Sequence, residues 1–265
     1  MNILVFVKQI PDTTEVKLDP KTGNLCRDGV ASVINPLDLN AIEAAMQLKA
    51  AHGGRVTAVT MGPPQAREVL LKAMALGCDD AVLLSDRAFG GADTLATAYT
   101  LSEAAKKLGQ FDLLLFGQHS ADGDTAQVGP EIAEKLGIAQ LTYVTDIEVE
   151  DGGLVCKRML EDGYMKVRMH LPCLISCMKE IAEPRYMSVK GILDWDDSKL
   201  RIIGYDELKT ERLFDDDVIG VVKSPTVTLN SFALQKKTGG MLLEGNPADM
   251  AAKLFECMNE KHVLD

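Results

Sequence analysis

Short, continuous runs of apolar residues recur along the chain between Ile3 and Phe116, and segments with a different spacing separate them. A strand that is covered on both faces is apolar throughout, as the strands of a parallel sheet are. The runs therefore predict buried parallel strands at Ile3–Val7, Val56–Thr60, Ala81–Leu84 and Leu113–Phe116.

The segments between these runs carry apolar residues at the three- and four-residue spacing of an amphipathic helix. Gly77, Gly109 and Gly137 each follow such a segment, where a helix commonly ends in a left-handed residue. Alternating strands and helices predict an α/β fold: a doubly wound, mainly parallel sheet with helices on both faces and ligands at the carboxyl ends of its strands. The helical positions are Ala41, Ala44, Ala45 and Leu48, then Val69, Leu70, Ala73 and Leu76, then Leu95, Ala98, Leu101 and Ala105, and finally Val128, Ile132 and Leu136.

The pattern changes after Gly137. Turn residues such as Asp151-Gly152-Gly153, Glu161-Asp162-Gly163 and Pro172 separate β-rich runs, which is typical of antiparallel hairpins. We expect them to form a β-hairpin extension of the sheet. The runs are Thr142–Val149, Leu154–Met159, Met165–His170 and Cys173–Cys177.

From Lys190 onward the apolar pattern thins, and Pro247–Met258 is the one segment there that predicts a helix. This tail has too few clustered apolar residues to form a core of its own. We therefore divide the chain into an α/β domain (1–190), a linking segment (191–223) and a C-terminal arm (224–265) that packs on another surface.

Charge and cysteine content limit the kinds of binding partner and the compartment that we expect. The chain has 28 basic and 39 acidic residues, a net charge of −11, which argues against a general affinity for nucleic acid or anionic lipid. No apolar run reaches the ~18 residues of a membrane span, and the first residues read as a strand, not as a leader peptide. The six cysteines form no C-x-x-C pair, as expected for free thiols in the cytoplasm. Because the net charge is negative, any bound phosphate must be held by backbone donors.

The sequence offers little support for the residue patterns that are typical of metal-dependent enzymes, hydrolases and P-loop proteins. The four histidines lie far apart without the spacing of a metal pair. There is no G-x-S-x-G elbow, no Walker motif and no G-x-G-x-x-G after the first strand. We predict no metal site and assign no catalytic nucleophile or base.

A polar, glycine-bearing loop (117–130) leads from the fourth predicted strand into the helix of Ile132 and Leu136. The free N–H groups of a helix N-terminus can bind a pyrophosphate without any lysine. Asp122 and Asp124 would repel phosphate, so they either cap the helix or accept hydrogen bonds from ribose hydroxyls. A capped helix start without a ligand is an equally open alternative.

Three further loops follow predicted strands. In the loop 86–94, two consecutive glycines allow close approach of a ligand, Phe89 offers an aromatic face, and Asp93 or Thr94 can cap the next helix. Loops 8–12 and 61–64 follow the first two strands. Each could be a plain surface turn, but four such loops at one sheet edge favour a dinucleotide-sized pocket.

These loops together closely resemble the β subunit of electron-transfer flavoproteins, over almost the whole chain. The most specific match is Glu183-Pro184-Arg185-Tyr186, which in the family precedes a loop that recognises dehydrogenases. Met165 departs from the family's hairpin signature, which has Glu or Gln there, but it lies outside the nucleotide loops. The other matching segments are Val7–Asp12, Asn35–Glu43, Gly62–Glu68, Asp122–Gly129, and the hairpin residues Arg158, Glu161-Asp162-Gly163, Val167 and Pro172.

The family has two branches, which differ in what the β subunit holds. In one branch it binds AMP structurally, and in the electron-bifurcating branch it binds a FAD that takes hydride from NADH and splits the electron pair. Small or apolar Ala126 and Val128 beside Gln127, and the loop Phe89–Thr94, resemble the bifurcating branch. The expected cofactor-binding residues are Phe6, Lys8, Asn35, Asp38, Met61, Phe89, Gly90, Gly91, Thr94, Asp122, Gly123, Asp124, Thr125, Ala126, Gln127, Val128 and Gly129.

The resemblance also implies partners. These are the α subunit, which the arm 224–265 would embrace, an acyl-CoA or related dehydrogenase that receives Val189 in a pocket, and a low-potential carrier, ferredoxin or flavodoxin. The segment 191–223 would face these partners. The alternatives are an AMP-holding subunit without redox chemistry of its own, and a stand-alone nucleotide-sensing domain, which the long tail disfavours.

Overall fold

A nine-stranded sheet organises the part of the chain that the computed structural model describes, which is residues 1–12, 32–194, 196–209, 215–227 and 239–264. In chain order the strands are β1 (Asn2–Phe6), β2 (Gln9–Pro11), β3 (Ser32–Ile34), β4 (Arg55–Met61), β5 (Asp80–Leu84), β6 (Leu113–Gly117), β7 (Ala139–Glu150), β8 (Gly153–Met159), β9 (Tyr164–Met169), β10 (Cys173–Cys177) and β11 (Leu200–Ile203). The helices are α1 (Pro36–His52), α2 (Arg67–Leu76), α3 (Thr94–Leu108), α4 (Val128–Leu136), α5 (Val189–Leu193), α6 (Tyr205–Lys209) and α7 (Pro247–Glu260).

The large sheet has the strand order β11-β5-β4-β1-β6-β10-β7-β8-β9. Its strands are parallel from β11 to β7, and the last two neighbouring pairs, β7 with β8 and β8 with β9, are antiparallel. β2 and β3 form a separate antiparallel pair. The predicted α/β class and mainly parallel sheet are therefore confirmed.

The strands bury both of their faces because helices cover both sides of the sheet. In β1, Val5 packs into a core with α1 and α2, whereas its neighbour Leu4 packs into a second core with α3 and α4. This alternation follows from the two-residue period of a strand. The predicted helices on both faces are confirmed.

Two parts of the sheet differ from the prediction. Cys173–Cys177 was expected among antiparallel hairpins, but it lies as β10 between β6 and β7 and is parallel to both. All five of its residues are buried, which suits a central strand with both faces covered. The segment 191–223, predicted as a link, contributes the edge strand β11 beside β5. Its partner-facing role stays a prediction.

The chain divides into two compact units, residues 1–229 and 230–265. In the second unit, the predicted helix is confirmed as α7. It begins after Asn246, whose side chain accepts a hydrogen bond from the backbone N–H of Asp249. Among the described helices, none combines the length and hydropathy that a bilayer crossing requires.

Candidate functional site

The carboxyl ends of β1 and β6 form the point where the direction of the sheet order reverses. From β1 the chain continues on one side to β4 and β5, and it then returns to the other side of β1 as β6. Ligands of doubly wound folds bind in the crevice outside such a pair of strands. Here Lys8, after β1, and Asp122, after β6, meet across the crevice with Nζ and Oδ1 2.7 Å apart.

The start of α1 holds these two loops together. Asn35 Nδ2 donates to Asp38 Oδ1 and to the carbonyl oxygen of His119, each at 2.9 Å. Asn35 Oδ1 accepts from the N–H of Ala121 at 3.3 Å, and Asp38 Oδ2 accepts from the N–H of Lys8 at 2.7 Å. Both predicted residues are buried. They therefore act on the shape of the site through the loops that they fix.

Asp38 and Asp122 are in electrostatically opposite situations. Burial raises the pKa of Asp38 to about 7, although hydrogen bonds from Asn35 and from backbone N–H groups oppose the rise. Burial also acts on Asp122, but hydrogen bonds from Lys8 and Ser120 outweigh it and lower the pKa of that carboxyl. Asp122 is thus a carboxylate near neutral pH, and its charge is paired with Lys8.

Gly117, at the end of β6, allows α1 to approach the sheet this closely. A Cβ at this position would overlap Oδ1 of Asp38 and would lie 2.7 Å from the carbonyl carbon of Leu37. Only a residue without a side chain fits between the strand and the helix start.

The loop that leads into α4 has an unusual backbone. Asp124 and Ala126 have φ angles of 51° and 54°, in the left-handed region that few non-glycine residues adopt. Such outliers cluster at ligand sites, where surrounding structure maintains the strain. Gln127 is the N-cap residue of α4, and its side chain makes no capping hydrogen bond. Among the described residues, no side chain accepts a hydrogen bond from the first N–H groups of the helix, and an anion site requires such free groups.

Neither aspartate of this loop caps α4, so that alternative for Asp122 and Asp124 is wrong. Asp122 is engaged by Lys8 and Ser120. Oδ1 of Asp124, which is exposed, lies 3.4 Å from Nε2 of His119. Asp122 departs from the prediction because Lys8 and Ser120 already hold its carboxylate.

The glycine loop before α3 is covered by residues 215–227, which we call the strap. The N–H of Val221 donates to the carbonyl oxygen of Gly90 at 3.1 Å. Gly91 has a φ of +68°, and a Cβ there would lie 3.0 Å from Cβ of Val221. One side of the predicted close-approach loop is thus occupied by the chain itself. The sequence contains no signal for this contact, because the strap lies more than a hundred residues away.

Asp93 joins the strap to α3. Its Oδ1 accepts from the N–H of Ala96 at 3.0 Å, which confirms the predicted cap. Its Oδ2 accepts from the N–H of Thr226 at 2.9 Å, and its own N–H donates to Oγ of Ser224 at 2.9 Å. One carboxylate therefore ends the loop, begins the helix and holds the strap.

Thr94 connects the glycine loop with the loop before α4. Its hydroxyl lies 3.3 Å from Oε1 of Gln127 and 3.1 Å from Oε1 of Glu131. Burial raises the pKa of Glu131, and its other carboxyl oxygen is buried without a hydrogen-bond partner among the described residues. The sequence prediction missed Glu131, although its position in the first turn of α4 is a signal that could have suggested it.

The remaining predicted residues differ in accessibility. Phe89 is 3% exposed, so its ring lies in the core and presents no aromatic face to a ligand. Phe6 is also buried and stacks on Phe116 with ring centroids 4.3 Å apart. Met61 is partly buried against the same core. Gly129 is buried, Ala126 and Val128 are partly buried, and Gly123, Thr125 and Gln127 are exposed.

Val189 lies away from these loops, at the first position of α5. Its side chain is 74% exposed, and the neighbouring Tyr186 is 97% exposed. Met187, Ile192 and Leu193 are exposed as well, so residues 186–193, which we call the exposed segment, present five exposed apolar side chains that Ser188, Lys190 and Gly191 interrupt.

Comparison with known proteins identifies the family. The family model described as "Electron transfer flavoprotein domain" matches residues 22–196. The chain is 46% identical, over the full length of both proteins, to the "Caffeyl-CoA reductase-Etf complex subunit CarD" of Acetobacterium woodii. Over the same full coverage it is 44% identical to the "Electron transfer flavoprotein subunit beta" of Clostridium acetobutylicum and 45% identical to the "Acryloyl-CoA reductase electron transfer subunit gamma" of Anaerotignum propionicum. These matches cover the α/β unit and the tail together, and the chain belongs to the β-subunit family of electron transfer flavoproteins.

Proposed function

We propose that this chain is the β subunit of an electron-bifurcating electron transfer flavoprotein and that the crevice between β1 and β6 binds FAD. When bound there, FAD would supply the chemistry that accepts hydride from NADH and divides the electron pair. The chain's own residues bind and orient the cofactor. The observation that carries this proposal is the loop 118–127, with its uncapped helix start and two left-handed residues, at the reversal point of the sheet.

The residues present fit a pyrophosphate group. The chain is acidic overall, and Lys8, which contacts the loop, is already paired with Asp122. Backbone N–H groups at the start of α4 would therefore hold the phosphates. Gly123 leaves space above the loop, because a Cβ there would have no atom within 4 Å. The exposed carboxylate of Asp124 is available to hydroxyl groups of the ribose.

FAD is favoured over AMP because the small Ala126 and the apolar Val128 beside Gln127 resemble the bifurcating branch of the family. Two relatives carry names that describe them as parts of caffeyl-CoA and acryloyl-CoA reductase assemblies. An AMP-holding subunit, with the redox chemistry on the α-subunit FAD, is the alternative that the cofactor measurement below distinguishes.

NADH is proposed to approach past the loop of Gly90 and Gly91. This loop follows β5 at the same sheet edge, and Thr94 connects it to Gln127 beside the proposed cofactor. Because Val221 lies against Gly91, the approach is from the side of Thr94 and not from the side of the strap.

The proposed partners are the α subunit, which the arm 224–265 embraces, and an acyl-CoA or related dehydrogenase that docks at Val189 in the cytoplasm. Ferredoxin or flavodoxin is the proposed acceptor of the low-potential electron. The five exposed apolar side chains within 186–193 support the dehydrogenase contact, since exposed apolar side chains that lie close together are typical of a docking site.

The test is a count of FAD and AMP extracted from the co-expressed αβ heterodimer. We expect two FAD per heterodimer, one in each subunit. Gly123→Val should reduce this to one, because a branched side chain in the open loop blocks close approach of the ligand. Gly163→Val is the matched control, since a Cβ at this hairpin glycine also meets no atom within 4 Å. One FAD and one AMP in the wild-type protein would support the AMP-holding alternative, and full FAD retention in Gly123→Val would contradict the site.

A further inference from the structure

The exposed segment combines apolar side chains in solvent with a backbone that is held at several points. The N–H of Ser188 donates to the carbonyl oxygen of Ala75 in α2 at 3.4 Å. A Cβ at Gly191 would overlap that same oxygen, so the segment passes α2 in backbone contact. Apolar side chains in solvent gain nothing for the fold. The restraint on their backbone therefore calls for another explanation.

The strongest restraint comes from α1. Glu43 is a buried carboxylate whose side chain is 8% exposed. Its Oε2 accepts from Nε of Arg185 at 2.6 Å and from the backbone N–H of Arg185 at 3.3 Å. Its Oε1 accepts from Nη2 of Arg185 at 3.0 Å and from Nε2 of Gln47 at 3.1 Å. Burial disfavours the charge, but the contacts with Arg185 outweigh it and lower the pKa of Glu43.

A second buried residue of α1, Asn40, binds the backbone that leads to the exposed segment. Asn40 Nδ2 donates to the carbonyl oxygens of Lys179 and Ala182, at 3.1 Å and 2.8 Å. α1 therefore uses Asn40 and Glu43 to fix the backbone immediately before the exposed segment. Tyr186, the first residue of that segment, is bonded directly to the anchored Arg185.

We infer that the Glu43–Arg185 pair is a positioning device that holds the exposed segment in its docking conformation. The inference rests on the proposed function, in which Val189 enters a pocket of the dehydrogenase. A segment that is already ordered loses little conformational entropy on docking, which favours binding. The bidentate geometry is essential, because the planar guanidinium fork matches the carboxylate and an ammonium group does not.

The test uses Arg185→Lys in the αβ heterodimer, which retains the charge but loses the fork. We expect amide hydrogen exchange across residues 186–194 to become about tenfold faster, since local opening becomes easier. The KM for the cognate acyl-CoA dehydrogenase should rise by about tenfold, with kcat and flavin content unchanged, because docking and not chemistry is affected. Unchanged hydrogen exchange would overturn the inference.

Two companion variants separate the possible failures. Arg55→Lys is the matched control, because Arg55 makes an equivalent bidentate contact with Asp80, at 2.7 Å for both bonds, near the amino ends of β4 and β5. It should change neither measurement. Val189→Asp should raise the KM and leave hydrogen exchange unchanged. If Val189→Asp has no effect on the KM, the proposed docking fails. If it has the effect and Arg185→Lys does not, only the positioning inference fails.

Discussion

Asp38 is the residue at which burial and hydrogen bonding compete most directly. Its carboxyl accepts from Asn35 and from the N–H of Lys8, both of which favour the charged form. Burial is the larger effect and raises its pKa to about 7 from an ordinary value of 3.8. The folded protein therefore binds a proton that the unfolded chain has released at pH 5 to 6.

This difference predicts a pH dependence of stability. The stabilising contribution of protonated Asp38 is complete below pH 4 and is lost as the pH rises towards 7, because only the folded state still holds the proton in that interval. Asn at position 38 cannot ionise. The free energy of unfolding of Asp38→Asn, relative to that of the wild type, should therefore increase by up to roughly 4 kcal/mol from pH 4 to pH 8. Urea unfolding of both proteins across this range measures the gain.

The test depends on how the free energy of unfolding changes with pH, and not on its value at any one pH. Asn at position 38 presents an NH₂ group to at least one of the donors that Asp38 accepts from, and this loss is the same at every pH. Curves that run parallel from pH 4 to pH 8 would contradict the proposed protonation of Asp38.

At the scale of elements, the site depends on contacts between segments that are distant along the chain. α1 fixes the β1 and β6 loops through Asn35 and Asp38, and the strap holds the glycine loop through Asp93. Asp93 has two separable duties, because one carboxyl oxygen caps α3 and the other binds the strap.

Asp93→Asn should separate these duties. The amide oxygen can still accept from the N–H of Ala96 and cap α3, but the NH₂ group cannot accept from the N–H of Thr226. We expect the strap to open more often, so that tryptic cleavage after Lys223 becomes several-fold faster while helix content is unchanged. Mass spectrometry of the fragments and circular dichroism measure the two effects.

Asp112→Asn serves as the control for this variant. Asp112 also accepts a backbone hydrogen bond, from Asn2 at 2.7 Å, but it lies at the amino ends of the strands. Equal cleavage after Lys223 in Asp93→Asn and Asp112→Asn would show that the carboxylate of Asp93 does not hold the strap.

At the scale of the whole molecule, the proposed cofactor crevice and the exposed segment are separate surfaces that α1 connects. Asp38, in the first turn of this helix, lies beside the crevice loops, and Glu43 farther along anchors Arg185. A substitution on one surface should therefore leave the other intact.

Val189→Asp tests this separation. Burial of one valine contributes about 1.5 to 3 kcal/mol, so a charge in its place should weaken docking of the dehydrogenase at least tenfold. Flavin content should be unaffected. Leu160→Asp is the matched control, because Leu160 is an aliphatic residue that is 40% exposed in the turn between β8 and β9, outside the segment 191–223. Steady-state electron transfer to the dehydrogenase measures both variants, and full activity of Val189→Asp would move the contact to another surface.

The order of residues alone was enough to predict the features that depend on local pattern. Continuous apolar runs of strand length, such as Leu113–Phe116, are typical of strands covered on both faces, and the spacing in 128–136 is helical. The glycine-bearing loops after these strands, and the family motifs in them, were likewise readable from the order of residues. For this reason the fold class, the helices on both faces and the family are all confirmed.

Features that depend on pairing between distant segments became visible only in the folded chain. β10 is a short apolar run, and nothing local distinguishes a parallel place between β6 and β7 from a hairpin. The fold pairs Lys8 with Asp122, 114 positions away, so Asp122 does not cap α4. It also joins Asp93 to Ser224, 131 positions away, and places Val221 of the strap over the glycine loop. The burial that raises the pKa of Asp38 and the partner that retains the charge of Glu43 also exist only once the chain is folded.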